Sequence, residues 1–411
     1  MRTAAEHLAA VLDAVGTPAP VPVPLTGALG LVAAEDVRSR VDLPRFDNSA
    51  MDGYAVVAAS LEGAAPGRPV PLPLMGEVAA GQDPEFVVRP GTAARIMTGA
   101  RLPDGADAVI PVEETDGAAV GTVSCAAPVA SGQFVRRRGE DLAAGSLVVS
   151  RGQRLGPRSL ALLAASGHAA VPARPRPHVV VLSTGSELVP PGEPLGPGQI
   201  HDSNSVMLWA AAVSAGATAD VRPAVADTEA DLLATLDAAL EQADVIVSTG
   251  GVSMGAYDVV KAALRDGGVD FVSVAMQPGK PQGFGFRTAA GGRRVPIFAL
   301  PGNPVSAYVS FEVFVRPALR RLLGLTPECR PVHSAALTAP LRSPEGRRQY
   351  ARAVVTGDAA GLLAEPVQGQ GSHFVADLAR ANALVVVPEG TTHLAAGAPV
   401  DVLLLDEEGG P

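Results

Sequence analysis

The stretch that decides the fold is Asp244–Asp258, DVIVSTGGVSMGAYD. Val245, Ile246 and Val247 form a short β-branched run that reads as a buried strand. Ser248, Thr249 and the pair Gly250–Gly251 end it. A polar loop then leads to Asp258, at the mouth of a helix over Val259–Arg265. A strand that delivers a glycine-rich turn to a helix start is how α/β sheets present backbone N–H groups to phosphate. The same pattern recurs in VVVLSTGSEL (Val179–Leu188), with Glu187 beyond the turn. It recurs again in VPIFALPGNPVSAYVSF (Val295–Phe311), where Pro301, Gly302 and Asn303 form the turn before a long helix. One such stretch is an ordinary βα loop; three imply one crevice along one sheet edge. Ser248, Gly250, Gly251 and Ser253, with Pro301, Gly302 and Asn303, are therefore candidate substrate-binding residues.

Around these turns, residues 178–324 alternate strand and helix. The helices read as Val206–Ala215, Glu229–Glu241 and Val305–Leu323. The other strands read as a segment near Asp220–Val225 and Phe271–Ala275. This is the pattern of a doubly wound sheet, whose ligands bind at the C-terminal strand ends. Glu187, Asp202, Asp227 and Asp258 all follow strands or open helices. Each such acid is also a natural helix cap. Four on one edge suggest Mg²⁺, which takes one or two carboxylates plus phosphate oxygens; Glu187, Asp227 and Asp258 are the candidate metal ligands. Neither the Walker-type nor the dinucleotide-binding glycine spacing occurs, since Lys280 precedes Pro281 and Gly250, Gly251 and Gly255 are spaced otherwise.

A chain of 411 residues is too long for one core, and two to four domains are expected. It is 47% hydrophobic but only 4% aromatic, with 45 Gly and 37 Pro, which suits many short strands and turns and is too apolar for disorder. Its two cysteines, Cys125 and Cys329, lie far apart, which argues against a disulfide framework and for a reducing compartment. The expectation is a cytoplasmic protein without a signal peptide or membrane span. A net charge of −10 speaks against nucleic-acid binding, so an anionic ligand needs local positive charge. Lys261 and Lys280 are the only lysines among many arginines. Lys280, inside a Pro-Gly-Lys-Pro turn, looks chosen for a compact amine.

Thr3-x-x-Glu6 is a capping box opening an amphipathic helix that ends at Gly16. Residues 1–47 and 142–177, the latter with a helix over Gly156–Val171, flank an insertion. Residues 48–141 read as an inserted small β domain. It begins in RFDNSAMDGYAV (Arg45–Val56), where Asp47, Asn48, Ser49 and Asp52 suit either an Asx turn or a polar site. It closes in Arg136-Arg137-Arg138-Gly139-Glu140-Asp141, whose guanidinium groups suit a phosphate or oxyanion. Residues 178–325 are the doubly wound α/β domain. Residues 326–411, where the helices are expected to stop, read as a C-terminal β-barrel-like domain. Its polar features are Arg347, Arg348 and the loop Gln368–His373; His373 has no partner at metal-ligand spacing.

FDNSAMDGYAV, RIMTGA, RRRGED, STGSEL, STGGVSMGAYD, PGKP, LPGNPVS and QGSH, in that order, closely resemble the molybdopterin molybdenumtransferase family, which includes the bacterial enzyme and the E domain of gephyrin. The resemblance spans essentially the whole chain. It implies insertion of molybdate into the dithiolene of adenylylated molybdopterin, with Mg²⁺-dependent release of AMP. It implies four domains, one of them an elongated helical domain made discontinuously from residues 1–47 and 142–177, a homodimer with sites near the subunit interface, and docking of the upstream adenylyltransferase and apo-molybdoenzymes. Carried over by motif, Asp52, Glu187, Asp258 and Lys280 are the catalytic candidates, and Thr98, Arg137 and Asp141 bind substrate. Lys280, Pro281, Arg347 and Ser372 hold the oxyanion. Relatives often carry lysine where this chain has Gln277, so one positive charge is missing. Two other functions fit parts of the pattern: a molybdopterin adenylyltransferase, which the doubly wound domain alone resembles, and a non-catalytic gephyrin-like scaffold.

Overall fold

The computed structural model describes residues 1–118, 121–223, 229–250, 261, 264, 265, 268–358, 361–367 and 369–406. These fall into two compact units. The first comprises Met1–Val21, Gly30–Ala34 and Pro172–Pro411; the second comprises Pro22–Leu29 and Glu35–Val171.

The first unit is built on a six-stranded sheet: β1 (His178–Ser183), β2 (Thr218–Val221), β3 (Val245–Thr249), β4 (Val269–Ser273), β5 (Pro281–Thr288) and β6 (Arg294–Leu300). The spatial order is β2-β1-β3-β6-β5-β4, with β2, β1, β3 and β6 parallel and β5 antiparallel to both its neighbours. Strand β5 was not foreseen. Its alternation of Phe284 and Phe286 with Gly283 and Gly285 is a strand pattern, but the glycines disguise it as a turn. Successive side chains of a strand face opposite sides, and here both sides are covered. Val179, Val181, Val245, Val247, Phe298 and Leu300 pack on one face, against helix α2 (Ser203–Ser214) and the segment 304–323. Val180, Leu182, Ile246 and Ile297 pack on the other, against Leu232 and Leu236 of α3 (Glu229–Leu240). That two-sided burial explains why β1 and β3 read as continuous apolar runs rather than alternating ones.

Helix α1 (Ala4–Ala14) begins at the expected capping box: the Glu6 N–H donates to Thr3 Oγ1 and the Thr3 N–H to Glu6 Oε2. The long helix expected over Val305–Leu323 is α-helical at Pro304–Ser310 and Arg316–Leu323, with a π-helical turn, Phe311–Val315, between them. The turn buries Glu312, whose side chain is 4% exposed. Arg330 pairs with it at 2.6 Å, while Arg330 Nη1 donates to the Leu404 carbonyl at 2.8 Å.

Beyond Pro327 the first unit forms a closed five-stranded barrel. Arg348–Asp358 pairs with Gly361–Pro366, which pairs with Val332–Leu337, then Pro399–Leu404, then Ala383–Val387, which returns to Arg348–Asp358. The barrel-like expectation holds. Helices do not stop there, however: Val375–Arg380 is helical, anchored by buried Leu378. Six residues with a single core contact leave too weak a periodicity to announce a helix.

The second unit carries a five-stranded sheet in the order Ala108–Pro111, Gly53–Val56, Ala93–Ile96, Val70–Val78, Thr122–Cys125, closing around Tyr54, Val56, Leu72, Ile110 and Val123. Its one α-helix among the described residues, Pro157–Ala165, starts at Pro157 as the sequence indicated. No helix of the described residues is long and apolar enough to cross a membrane.

His7 lies on the buried face of α1, 3% exposed, its ring edge-on to Phe314 with centroids 4.7 Å apart. Burial, and then the nearby Arg2 charge, push its pKa from the ordinary 6.5 down to about 4. The folded state thus holds the neutral ring, while the unfolded chain takes up a proton as pH falls below about 6.5. Stability contributed by the neutral ring is therefore whole above that pH and lost progressively as pH drops toward 4, by about 3 kcal/mol at most. Denaturant unfolding of wild type and His7→Phe across this window should show a gap that shrinks or reverses on acidification. A pH-independent gap would contradict the assignment.

Candidate functional site

Three strand ends of the first unit, at Ser183–Gly185, Thr249–Gly250 and Leu300–Asn303, are laced together by hydrogen bonds. The Thr184 N–H donates to the Thr249 carbonyl (3.1 Å) and the Gly250 N–H to the Leu300 carbonyl (3.3 Å). Thr249 Oγ1 donates to the Pro301 carbonyl (3.1 Å). Asn204 Nδ2, one residue into α2, reaches both Thr249 Oγ1 (3.1 Å) and the Gly302 carbonyl (2.7 Å). These edges therefore form one rim, as the three glycine-rich turns implied.

The rim encloses a cavity of about 830 Å³. Thr184, Gly185, Glu187, Thr249 and Gly250 line it on the β1 and β3 side; Pro281, Pro301, Gly302 and Asn303 line it from β5 and β6; His373 and Val375 reach it from the barrel. Of the anticipated residues, Glu187, Gly250, Pro281, Pro301, Gly302 and Asn303 are thus brought to one wall. Glu187 is exposed there. Ser248 is a correction. It lies within β3, 1% exposed, and strand alternation takes its neighbour Thr249 to the cavity instead. Asp202 also plays another part: buried as the N-cap of α2, it accepts from the Ser205 N–H (3.0 Å) and from Ser183 Oγ (3.2 Å). Gly251, Ser253, Asp227 and Asp258 lie outside the described residues, and with them the helix expected after Asp258. Among the described residues no group of three or more His, Cys, Asp or Glu is arranged to hold a metal ion.

Of the expected oxyanion residues, Pro281 lines the cavity, while Lys280, Arg347 and Ser372 do not. Lys280 is half-buried next to wall residue Pro281. Ser372 Oγ accepts from Asn303 Nδ2 (2.9 Å), and its carbonyl accepts from the Val305 N–H (3.0 Å). Asn303, the N-cap of helix α4 (Pro304–Ser310), makes no side-chain cap bond there. Arg347 Nη1 donates to Gln277 Oε1 at 3.2 Å, next to the two-residue strand Met276–Gln277 that pairs in parallel with Arg348 and Gln349. Gln277 thus holds Arg347 through its side-chain carbonyl. The turn from Gln277 to Pro281 rests on buried Gln282, which donates to the Gly279 carbonyl (2.7 Å) and to Ser310 Oγ (2.6 Å).

A second polar set occupies the other unit. Asp52 and Thr98, 46 residues apart, meet: the Thr98 N–H and hydroxyl both donate to Asp52 Oδ1, at 2.6 and 2.8 Å. The Thr98 backbone bond, above all, holds the Asp52 carboxyl below the usual range. Arg137, expected at substrate, is paired with Asp47 at 2.7 Å, and Arg138 with Asp42 at 2.6 Å. Two members of the arginine triplet therefore tie down Asp42 and Asp47, and all three arginines are exposed. Asp141 is exposed, its N–H donating to the Leu43 carbonyl. Asn204 and His373 were missed as cavity residues. The polar run Asp202–Ser205 at a helix start was the available signal for the first, and the place of His373 two residues after Gly371 for the second.

Gly250 has φ +97°, and a Cβ there would sit 2.6 Å from the Thr184 carbonyl oxygen. Gly250→Ala should therefore destabilise the fold by at least about 1–3 kcal/mol through forced left-handed geometry, and more if the rim opens. Thermal unfolding checks this; an unchanged midpoint would contradict it.

Three family descriptions match the chain: MoeA N-terminal region (domain I and II) over residues 2–167, probable molybdopterin binding domain over 180–321, and MoeA C-terminal region (domain IV) over 334–405. The chain is 48% identical to molybdopterin molybdenumtransferase 2 of Mycobacterium tuberculosis strain H37Rv over 409 residues, covering 98% of this chain and 99% of that one. It is 36% identical to the molybdopterin molybdenumtransferase of Bacillus subtilis, with 94% and 90% covered. The crystal structure of the molybdopterin biosynthesis MoeA protein from Pyrococcus horikosii superposes with a TM-score of 0.77 at 35% identity, covering 98% of this chain and 99% of that one.

Proposed function

Because the chain belongs to the molybdopterin molybdenumtransferase family and so to molybdenum cofactor biosynthesis, we propose that it inserts molybdate into adenylylated molybdopterin with Mg²⁺-dependent release of AMP. The observation that carries this reading is the cavity. Its volume of about 830 Å³ suits a nucleotide-bearing pterin, and its lining includes both an acidic residue, Glu187, and Pro281.

Mg²⁺ is a hard cation that takes one or two carboxylates together with substrate phosphate oxygens. Glu187, exposed on the wall, offers such a carboxylate. Asp202, which also lines the cavity, is already engaged by Ser183 and Ser205. When bound, the ion supplies stabilisation of negative charge on the phosphate being released. The residues of the chain then orient that phosphate beside Glu187 and keep the dithiolene end toward Pro281. Asp227 and Asp258 complete the acidic side in this reading. At the other side Lys280, Arg347 and Ser372 hold the molybdate dianion. A tetrahedral oxyanion needs charge-assisted donors, and with Gln277 in place of a lysine, Lys280 and Arg347 provide the positive charge. The match along the whole chain, rather than to the central domain alone, favours this reaction over adenylyl transfer.

The working species in this reading is a homodimer, with the Asp52–Thr98 set of one chain completing the cavity of its partner. Glu187→Gln should slow AMP release at least about a hundredfold. Mixing it with an inactive Asp52→Ala chain should restore part of the activity. Failure of complementation, with subunit exchange verified, would remove the shared site.

Arg347→Ala should raise the molybdate concentration needed for half-maximal product by about tenfold to a hundredfold, equivalent to about 1.5–3 kcal/mol. Binding of adenylylated molybdopterin should barely change. A molybdate titration that superposes on wild type would mean that the oxyanion sits elsewhere.

A further inference from the structure

Arg352 lies in the middle of the barrel strand Arg348–Asp358 and is 1% exposed. A full positive charge so deeply buried is costly unless its donors are all engaged. The hydrogen-bond partners of Arg352 are not carboxylates, and Asp377 nearby favours its charge. Its Nη1 donates to the Phe374 carbonyl (2.9 Å), and its Nη2 donates to the carbonyls of Gly371 (3.0 Å) and Gly369. A single guanidinium thus gathers three carbonyls of one short loop, a task for its planar fork and not for an ammonium.

The loop grips back. Gln370 Nε2 donates to the backbone carbonyls of Arg352 (3.2 Å) and Val367 (2.8 Å), and its Oε1 accepts from the Arg352 N–H (3.3 Å). Its glycines are shaped to the fit. A Cβ at Gly371 would lie 2.8 Å from the Phe374 ring, and one at Gly369 would lie 2.3 Å from Asp377 Oδ2. Between the clamped carbonyls stands Ser372, whose hydroxyl accepts from Asn303 Nδ2 and whose carbonyl accepts from the Val305 N–H. The next residue, His373, is on the cavity wall.

We propose that Arg352 is a positioning residue for the reaction: it fixes the loop Gly369–Phe374 from beneath, so that Ser372 and His373 stand at the cavity beside Asn303. Arg352 does not line the cavity and acts only through this loop. The proposal rests on the reading that Ser372 serves molybdate.

The test uses the full chain, with Arg352→Lys, Ser372→Ala and the double variant. The molybdate concentration for half-maximal product is measured beside equilibrium binding of adenylylated molybdopterin. Thermal unfolding and amide exchange of Gly369–Val375 are followed in parallel. Arg352→Lys should raise the molybdate requirement at least about tenfold, as displacement of a positioned donor does, while substrate binding stays near wild type. Exchange should rise in the loop and not across the sheet. The double variant should match Ser372→Ala, because a donor already removed cannot be displaced again. A folded Arg352→Lys chain with an unshifted curve, beside a shifted Ser372→Ala, overturns the positioning role and leaves the oxyanion reading standing. An unshifted Ser372→Ala overturns the oxyanion reading and this proposal with it. Additive effects with exchange raised throughout the unit reduce Arg352 to a structural part and also overturn it. Should Arg352→Lys fail to fold, Gly371→Ala disturbs the same loop from its other side and is judged by the same shifted or unshifted curve.

Discussion

A parallel sheet has to stop, and where it stops the terminal backbone groups lose the next rung of the ladder. Buried groups of that kind must find other partners. In this chain the strand ends find one another, from the Thr184 N–H to Thr249, from Gly250 to Leu300, and from Thr249 to Pro301, with the Asn204 amide tying two of the edges together. The rim is closed by satisfying itself. What it leaves open, because its side chains there are short or absent, is the cavity.

The same logic of partnered backbone governs the barrel side. A loop rich in glycine has little side-chain packing to define it, so its shape comes from whatever grips its carbonyls. Here that grip is internal and charged. The residues facing the cavity are therefore only as well placed as the buried strand behind them, and barrel and sheet meet through Asn303, Val305 and Ser372 rather than through apolar contact alone.

Much of this was legible in the sequence, for reasons of range. Strand, turn and helix start follow one another within some fifteen residues, so the three turns announced the crevice from local pattern alone. The capping box at Thr3 and the proline opening the helix at Pro157 are equally local. Asp52 meeting Thr98 is not, and only motif resemblance linked them before the fold did. Ser248 and Thr249 were indistinguishable in sequence because one residue of register decides which of them faces the cavity. Strand β5 was hidden by glycines that its close neighbours require. Arg352 left no signal at all. An arginine in an alternating strand reads as solvent-facing, and its burial depends on a loop that returns many residues later.

Asn303 holds a position where two demands conflict. A residue before a helix ordinarily turns its side chain back onto the first free N–H groups, yet this amide is turned away to Ser372. Selection for thermal stability alone would favour a side chain that caps, and that choice would release the serine. The helix is accordingly left without a side-chain cap, and the amide instead ties the sheet edge to the loop that carries Ser372. A substitution chosen from helix-capping statistics would strengthen the helix start and cut that tie.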